Sequence, residues 1–134
     1  MAISLDRLAG FHHKAIQIRT DRMEVIAGNL ANANTPGYKA RDIDFQSAMK
    51  SAKYAQKHSL DRTHERHFPG SMQTNSELQY RIPAQPDTGD GNTVEVQTER
   101  NQFLDNGMRY QAGLQFLDGK FKGMKKAIGG GQGG

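Results

Sequence analysis

At 134 residues, with a formal net charge of +4 and neither cysteine nor tryptophan, the chain is long enough for one domain and too short for two comfortable ones. Hydrophobic residues make up 35% of it and the mean hydropathy is −0.78, which excludes a large globular core and suits an extended or assembly-dependent fold. Without cysteine there are no disulfides, thiolate metal sites or cysteine nucleophile, and no stretch reaches the roughly 18 apolar residues of a membrane helix.

Ser4 can cap a first helix, with Asp6 in its first turn. On a helical wheel Leu5, Leu8, Phe11, Ala15, Ile16, Ile18, Met23, Val25, Ile26 and Leu30 fill about half the circumference. An arc that wide exceeds the seam of a two-helix pair and predicts contact with more than one neighbour. His12, Arg19, Arg22 and Asn29 intrude on it, either snorkelling at the rim or setting register between packed subunits. His12 and His13 point about 100° apart on a helix and make a poor metal pair.

The helix must stop in Asn32-Ala33-Asn34-Thr35-Pro36-Gly37-Tyr38. Pro36 disfavours helical backbone at Thr35, Asn34 can take a left-handed closing position, and Pro36-Gly37 suits the centre of a type II turn. Phe45, Ala48, Met49, Ala52 and Ala55 then recur at helical spacing behind the cap Asp44, predicting a short helix that ends near Lys57. From His58 to Asp90 the pattern dissolves into a flexible middle segment, with a short strand or extended arm at Leu78-Gln79-Tyr80-Arg81-Ile82. His58, His64, Glu65 and His67 lack the spacing of a zinc hydrolase site.

Asn92 as cap with Glu95 in the capping-box place predicts the start of a last helix. In it Val96, Phe103, Tyr110, Leu117 and Met124 repeat every seven residues beside Gly107, Leu114, Phe121 and Ile128, the pattern of a coiled-coil seam. Gly107, on the seam, suggests close approach of a neighbouring backbone. Gly129 onward reads as a flexible tail. The expected fold is therefore all-α, one domain. Residues 1–35 and 91–128 form two long terminal helices pairing as a coiled-coil-like core; 36–57 hold the turn and short helix, 58–90 the flexible middle and 129–134 the tail.

The run Asn29-Leu30-Ala31-Asn32-Ala33-Asn34-Thr35-Pro36-Gly37-Tyr38 resembles the N-terminal signature of the bacterial flagellar rod and hook protein family, usually Asn-Asn-Ile-Ala-Asn-Ala-Asn-Thr-Pro-Gly-Tyr. Gly28 stands where that pattern commonly has asparagine and Leu30 where it has isoleucine. The continuation Lys39-Ala40-Arg41-Asp42-Ile43-Asp44-Phe45 is similar to the small members of the proximal rod. So are Tyr80-Arg81-Ile82-Pro83-Ala84-Gln85-Pro86 and Asp90-Gly91-Asn92-Thr93-Val94.

The resemblance implies a structural subunit of the proximal rod of the flagellar basal body, assembling helically through its terminal helices. It implies a periplasmic place reached through the flagellar type III export apparatus, and no charged n-region precedes an apolar core as in a cleavable signal peptide. The implied partners are other copies of the chain, other rod proteins and the membrane ring and export gate, which the chain would join to the distal rod. On that reading Ile16, Met23, Ile26 and Leu30 of the first helix and Phe103, Tyr110, Leu114, Leu117 and Phe121 of the last carry assembly. The turn from Asn32 to Tyr38 sets the angle at which the chain leaves the core. No catalytic residue, cofactor or metal is expected, and the chain is not expected to insert in a membrane.

The alternative is a basic helical nucleic-acid-binding protein. Much of the positive excess, however, sits near the end of the last helix in Arg109, Lys120, Lys122, Lys125 and Lys126, where cations complement the helix dipole. No helix-turn-helix spacing and no strand with interleaved aromatic and arginine residues accompanies it, so nucleic acid is not an expected partner.

Overall fold

A computed structural model describes residues 5–58, 78–84 and 89–130. Its elements are α1 (Leu5–Ala31), β1 (Arg41–Ile43), α2 (Phe45–His58), β2 (Leu78–Tyr80) and α3 (Val96–Gly130). At 1.5 Å per residue α1 is about 40 Å long and α3 about 52 Å. Glu99 bonds Asn29, Gln102 bonds Arg22, Asn106 bonds Arg19, and the His12 and Phe116 rings meet. Contacts thus climb α3 as they descend α1, and the two long helices pair antiparallel.

The wide apolar arc of α1 does meet two neighbours. One side lies on α3; the other packs on β1, β2 and α2, where Ile18, Ile43, Ala48 and Met49 form a buried cluster flanked by Phe11, Ala15, Val25, Phe45 and Leu78. α2 begins where expected: Asp44 accepts hydrogen bonds from the Gln46 amide at 3.0 Å and the Ser47 hydroxyl at 2.9 Å, satisfying donors that a helix start leaves free. The expected arm is β2. It pairs antiparallel with β1, Arg41 opposite Tyr80 and Ile43 opposite Leu78, so the mostly helical fold carries one small sheet. The partner strand β1, three residues long, is too short to show an alternation in sequence.

The turn forms at Pro36-Gly37: the Tyr38 amide donates to the Thr35 carbonyl at 3.2 Å, and Gly37 has φ +74, the conformation glycine adopts without steric cost. Asn34 is not left-handed, since among the described residues only glycines have positive φ. The helix closes instead by tightening, the Asn32 amide donating to the carbonyls of both Gly28 and Asn29.

Asn92 is not the cap of α3. That helix starts three residues later, and Glu95 takes the cap position: its carbonyl accepts the Glu99 amide and its carboxylate accepts the Thr98 hydroxyl. The C-terminal boundary also moves, α3 running through Gly129 to Gly130. Most of the 58–90 segment, including His64, Glu65 and His67, lies outside the described residues.

Candidate functional site

The motif residues are organised around two asparagines. The side-chain amide of Asn29 donates to the Arg41 carbonyl at 2.6 Å while its Oδ1 accepts the Arg41 amide at 3.1 Å. It therefore pairs with both backbone groups of one residue, as a neighbouring strand would. The same Oδ1 accepts the Tyr38 hydroxyl, and Nδ2 also donates to Glu99 at 3.1 Å. Asn92 works from the other side, its Nδ2 lying 3.0, 2.9 and 2.8 Å from the carbonyls of Asn32, Ala33 and Thr35. These carbonyls belong to the turn that follows α1, and those of Asn32 and Thr35 also accept the Thr35 and Tyr38 amides, so a residue expected to open α3 braces the turn that ends α1.

The chain leaving the turn is laced to the run into α3. The Gly37 amide donates to Asp90 and the Thr93 amide to Tyr38, while the Ala40 amide donates to the Thr93 hydroxyl and Lys39 Nζ to the Gly91 carbonyl. A Cβ on Gly91 would lie 3.5 Å from Gly37 Cα, where φ +71 already favours glycine.

Below this joint sits an ionic network. Arg22 grips Asp42 with two hydrogen bonds, 2.8 and 3.0 Å, and also donates to Gln102. Arg81 donates to Asp42 at 2.8 Å and to Glu99 at 2.7 Å. Two arginines thus face two carboxylates, tying α1, β1, the residue after β2 and α3 together. Burial alone would push the Asp42 carboxyl up. The Arg22 hydrogen bonds, the charges of Arg22 and Arg81 and the Ile43 amide outweigh it and hold the carboxyl below its ordinary value, while Asp42 raises the Arg22 guanidinium. No buried side-chain polar atom among the described residues lacks a hydrogen-bond partner, the condition under which a buried network holds one geometry.

Arg19 lies further along α1, its guanidinium 4.0 Å from the Phe45 ring centre and 3.4 Å from Asn106 Oδ1. Three of the polar residues that intrude on the arc of α1, Arg19, Arg22 and Asn29, therefore lock register within the subunit, while His12 meets the Phe11 and Phe116 rings.

That locking rotates α3. Its innermost residues are Glu99 and Asn106, both 0% exposed, continued by half-buried Gly113. This row lies about 60° round the helix from the row beginning at Val96. The expected seam is accordingly half used. Phe103, Tyr110, Leu117 and Met124 are half-buried, but Val96, Leu114, Phe121 and Ile128 face outward, Phe121 47% and Ile128 78% exposed. On α1, Ile26 is wholly buried within the subunit, while Ile16, Met23 and Leu30 are half-buried at its edge. Leu104 and Met108 add exposed apolar surface on the outer side of α3. A Cβ at Gly107 would meet nothing within 4 Å, whereas one at Gly113 would touch Ile16 at 3.8 Å. That is an ordinary side-chain contact, so within the described chain no glycine of α3 marks a close approach of a neighbouring backbone.

Of the turn residues, Asn32 and Tyr38 are half-buried and bonded; Asn34, Thr35, Pro36 and Gly37 are exposed. The structural role of Asn92 and the joint of Asp42, Arg81 and Glu99 escaped the sequence reading. One signal for the joint was present: Glu99, Asn106 and Gly113 repeat every seven residues, a polar and small row matching the intrusions at Arg19, Arg22 and Asn29. The geometry offers a rigid antiparallel pair with an uncovered apolar stripe along α3. No described helix is long and apolar enough to cross a membrane.

A family model described as flagella basal body rod protein matches residues 12–39. The chain is 48% identical over 132 residues to the flagellar basal body rod protein FlgB of Aeromonas hydrophila, covering 98% of this chain and 100% of that one. It is 44% identical to FlgB of Escherichia coli strain K12, across 96% and 97% of the two chains. To FlgB of Salmonella typhimurium it is 41% identical, across 95% and 96%.

Proposed function

The chain belongs to the flagellar basal body rod protein family, and from that premise we propose that it is the proximal-rod subunit and builds the rod by burying the outward stripe of α3 against neighbouring subunits. It is a structural protein of the flagellar basal body. The observation that carries the mode of assembly is Val96, Leu114, Phe121 and Ile128 standing exposed on one edge of a helix whose polar row is already paired. A stripe of this kind gains most when copies pack side by side, and a contact between two different faces propagates as a helical tube.

Leu114 and Phe121 then meet neighbours directly. Ile16, Met23, Leu30, Phe103, Tyr110 and Leu117 contribute from the half-buried margin, and Ile26 acts by holding α1 in place. The turn from Asn32 to Tyr38, fixed by Asn29 and Asn92, sets the angle at which the chain leaves the core helices for β1. The place proposed is the periplasmic rod, between membrane ring and export gate on one side and the distal rod on the other. The route proposed is the flagellar type III apparatus, without a cleaved signal peptide.

Deleting the gene in its host, restoring it on a plasmid, and counting rods and hooks in purified basal bodies by electron microscopy tests this reading. The expected result is membrane rings without rod or hook, reversed by the plasmid. Intact rods in the deletion strain would overturn it.

A further inference from the structure

We propose that an arginine-lined cleft on one face of the subunit receives the acidic edge of α1 from a second copy of the same chain, giving a lateral contact distinct from the apolar stripe. The cleft, about 640 Å³, lies between α1, the β1–α2 junction, the arm after β2 and α3. Its lining holds four arginines, Arg19, Arg22, Arg81 and Arg109, against three aspartates, Asp42, Asp44 and Asp105. Asp42 is shared by Arg22 and Arg81, and Asp105 is held by Arg109. Arg19 is left with a long hydrogen bond to Asn106 and the Phe45 ring, and no carboxylate of the described residues lies within ion-pairing distance of it. Burial, then the charges of Arg109 and Arg22, press its pKa down against the opposing charge of Asp105. A guanidinium without a carboxylate in contact, beside two other arginines, would gain from an incoming one.

The complementary feature lies on the same helix. Asp21 and Glu24 line a second hollow, about 340 Å³, whose other walls are Val25, Gly28, Tyr38, Ile43, Leu78 and one cation, Arg41, with no residue of α3. Neither carboxylate has a hydrogen bond or ion pair with another described residue. They stand roughly 140 to 160° round α1 from Arg19, so a subunit cannot place its own acids in its own cleft. A neighbour can. Since Arg19 and the acids are two to five residues apart, copies would sit side by side with an axial offset of roughly 3 to 8 Å. The two faces differ, so the contact does not close on itself and can repeat from subunit to subunit. Exposed Ile82 and Tyr80 on the cleft rim offer apolar surface to the arriving helix.

The inference rests on the rod reading, and its test separates the two. The chain has no cysteine, so Gln17→Cys, on the stripe of Asp21 and Glu24, and Gln46→Cys, on the cleft lining, can report the contact with every charge retained. Both side chains are exposed. The double variant replaces the native chain in its host, and basal bodies are purified, oxidised and run on a non-reducing gel. The expected result is a ladder of dimers and higher multimers, with neither single variant alone giving more than monomer. Co-expression of the two single variants yields mixed dimers, which keeps the contact testable should the double variant fail to enter the rod. Motile cells whose basal bodies hold the double variant only as monomer would overturn the contact and leave the rod reading standing. Basal bodies lacking the wild-type chain as well would overturn the rod reading and this inference with it.

Discussion

Glu99→Gln removes one charge from the joint at constant volume. Glu99 is wholly buried, its Oε1 accepting Arg81 Nη1 at 2.7 Å and its Oε2 accepting Asn29 Nδ2 at 3.1 Å. A glutamine keeps one of these bonds and turns a donor toward the other partner. Asn29 cannot turn over to accommodate it, because its Oδ1 accepts the Arg41 amide and Tyr38 hydroxyl while its Nδ2 donates to the Arg41 carbonyl. Weakening a charge-assisted bond to a neutral one forfeits about 1 kcal/mol, and the unsatisfied buried donor costs a further ~1–3 kcal/mol. The sum is about 2–4 kcal/mol, or roughly 8 to 16 °C in melting temperature at about 4 °C per kcal/mol for a chain of this size. Thermal melting followed by far-ultraviolet circular dichroism reads it, with Asp118→Asn at the exposed Lys122 pair as a control expected to shift little. A Glu99→Gln protein melting within about 2 °C of wild type would refute the claim that this network fixes the helix pair.

Asp42 titrates below its ordinary value of 3.8 in the folded chain, so its stabilising effect is present above that value and is lost as pH falls through the folded pKa. Acid unfolding curves of wild type and Asp42→Asn should therefore differ most above pH 4 and converge below it. Asn92→Ala removes the donor to three carbonyls and should cost about 1–3 kcal/mol, with amide exchange accelerated first at the end of α1. Gly37→Ala places a side chain at φ +74 and should cost roughly 1 kcal/mol, seen as a lowered urea midpoint. Ile128→Asp, on the stripe at 78% exposure, should leave the monomer's melting nearly unchanged and abolish motility, since assembly would bury an unpaired charge.

The long helices were legible because their apolar residues recur over many turns, and periodicity averages out single intrusions. The Pro36-Gly37 turn was legible because proline and glycine restrict the backbone locally. What sequence could not show was which edge of a wide apolar arc faces inward. A seam drawn through Val96, Leu114, Phe121 and Ile128 is reasonable on hydrophobicity, yet the helix is turned by paired polar groups: Glu99 must meet Asn29 and Arg81, and Asn106 must meet Arg19. Such pairs join residues 70 and 87 positions apart, a distance at which spacing carries no signal. Asn92 was misread for a related reason. A cap is recognised from neighbours in sequence, and its amide serves carbonyls from the other end of the fold.

The claim most exposed to test is that the outward stripe of α3 becomes buried when the rod forms. A density map of purified basal bodies, resolved well enough to place side chains on α3, measures this directly. The expected map has Leu114 and Phe121 packed against helices of adjacent subunits, with α1 and α3 still paired through Glu99 and Asn106. A map showing this chain in the rod with Leu114 and Phe121 facing solvent would contradict it.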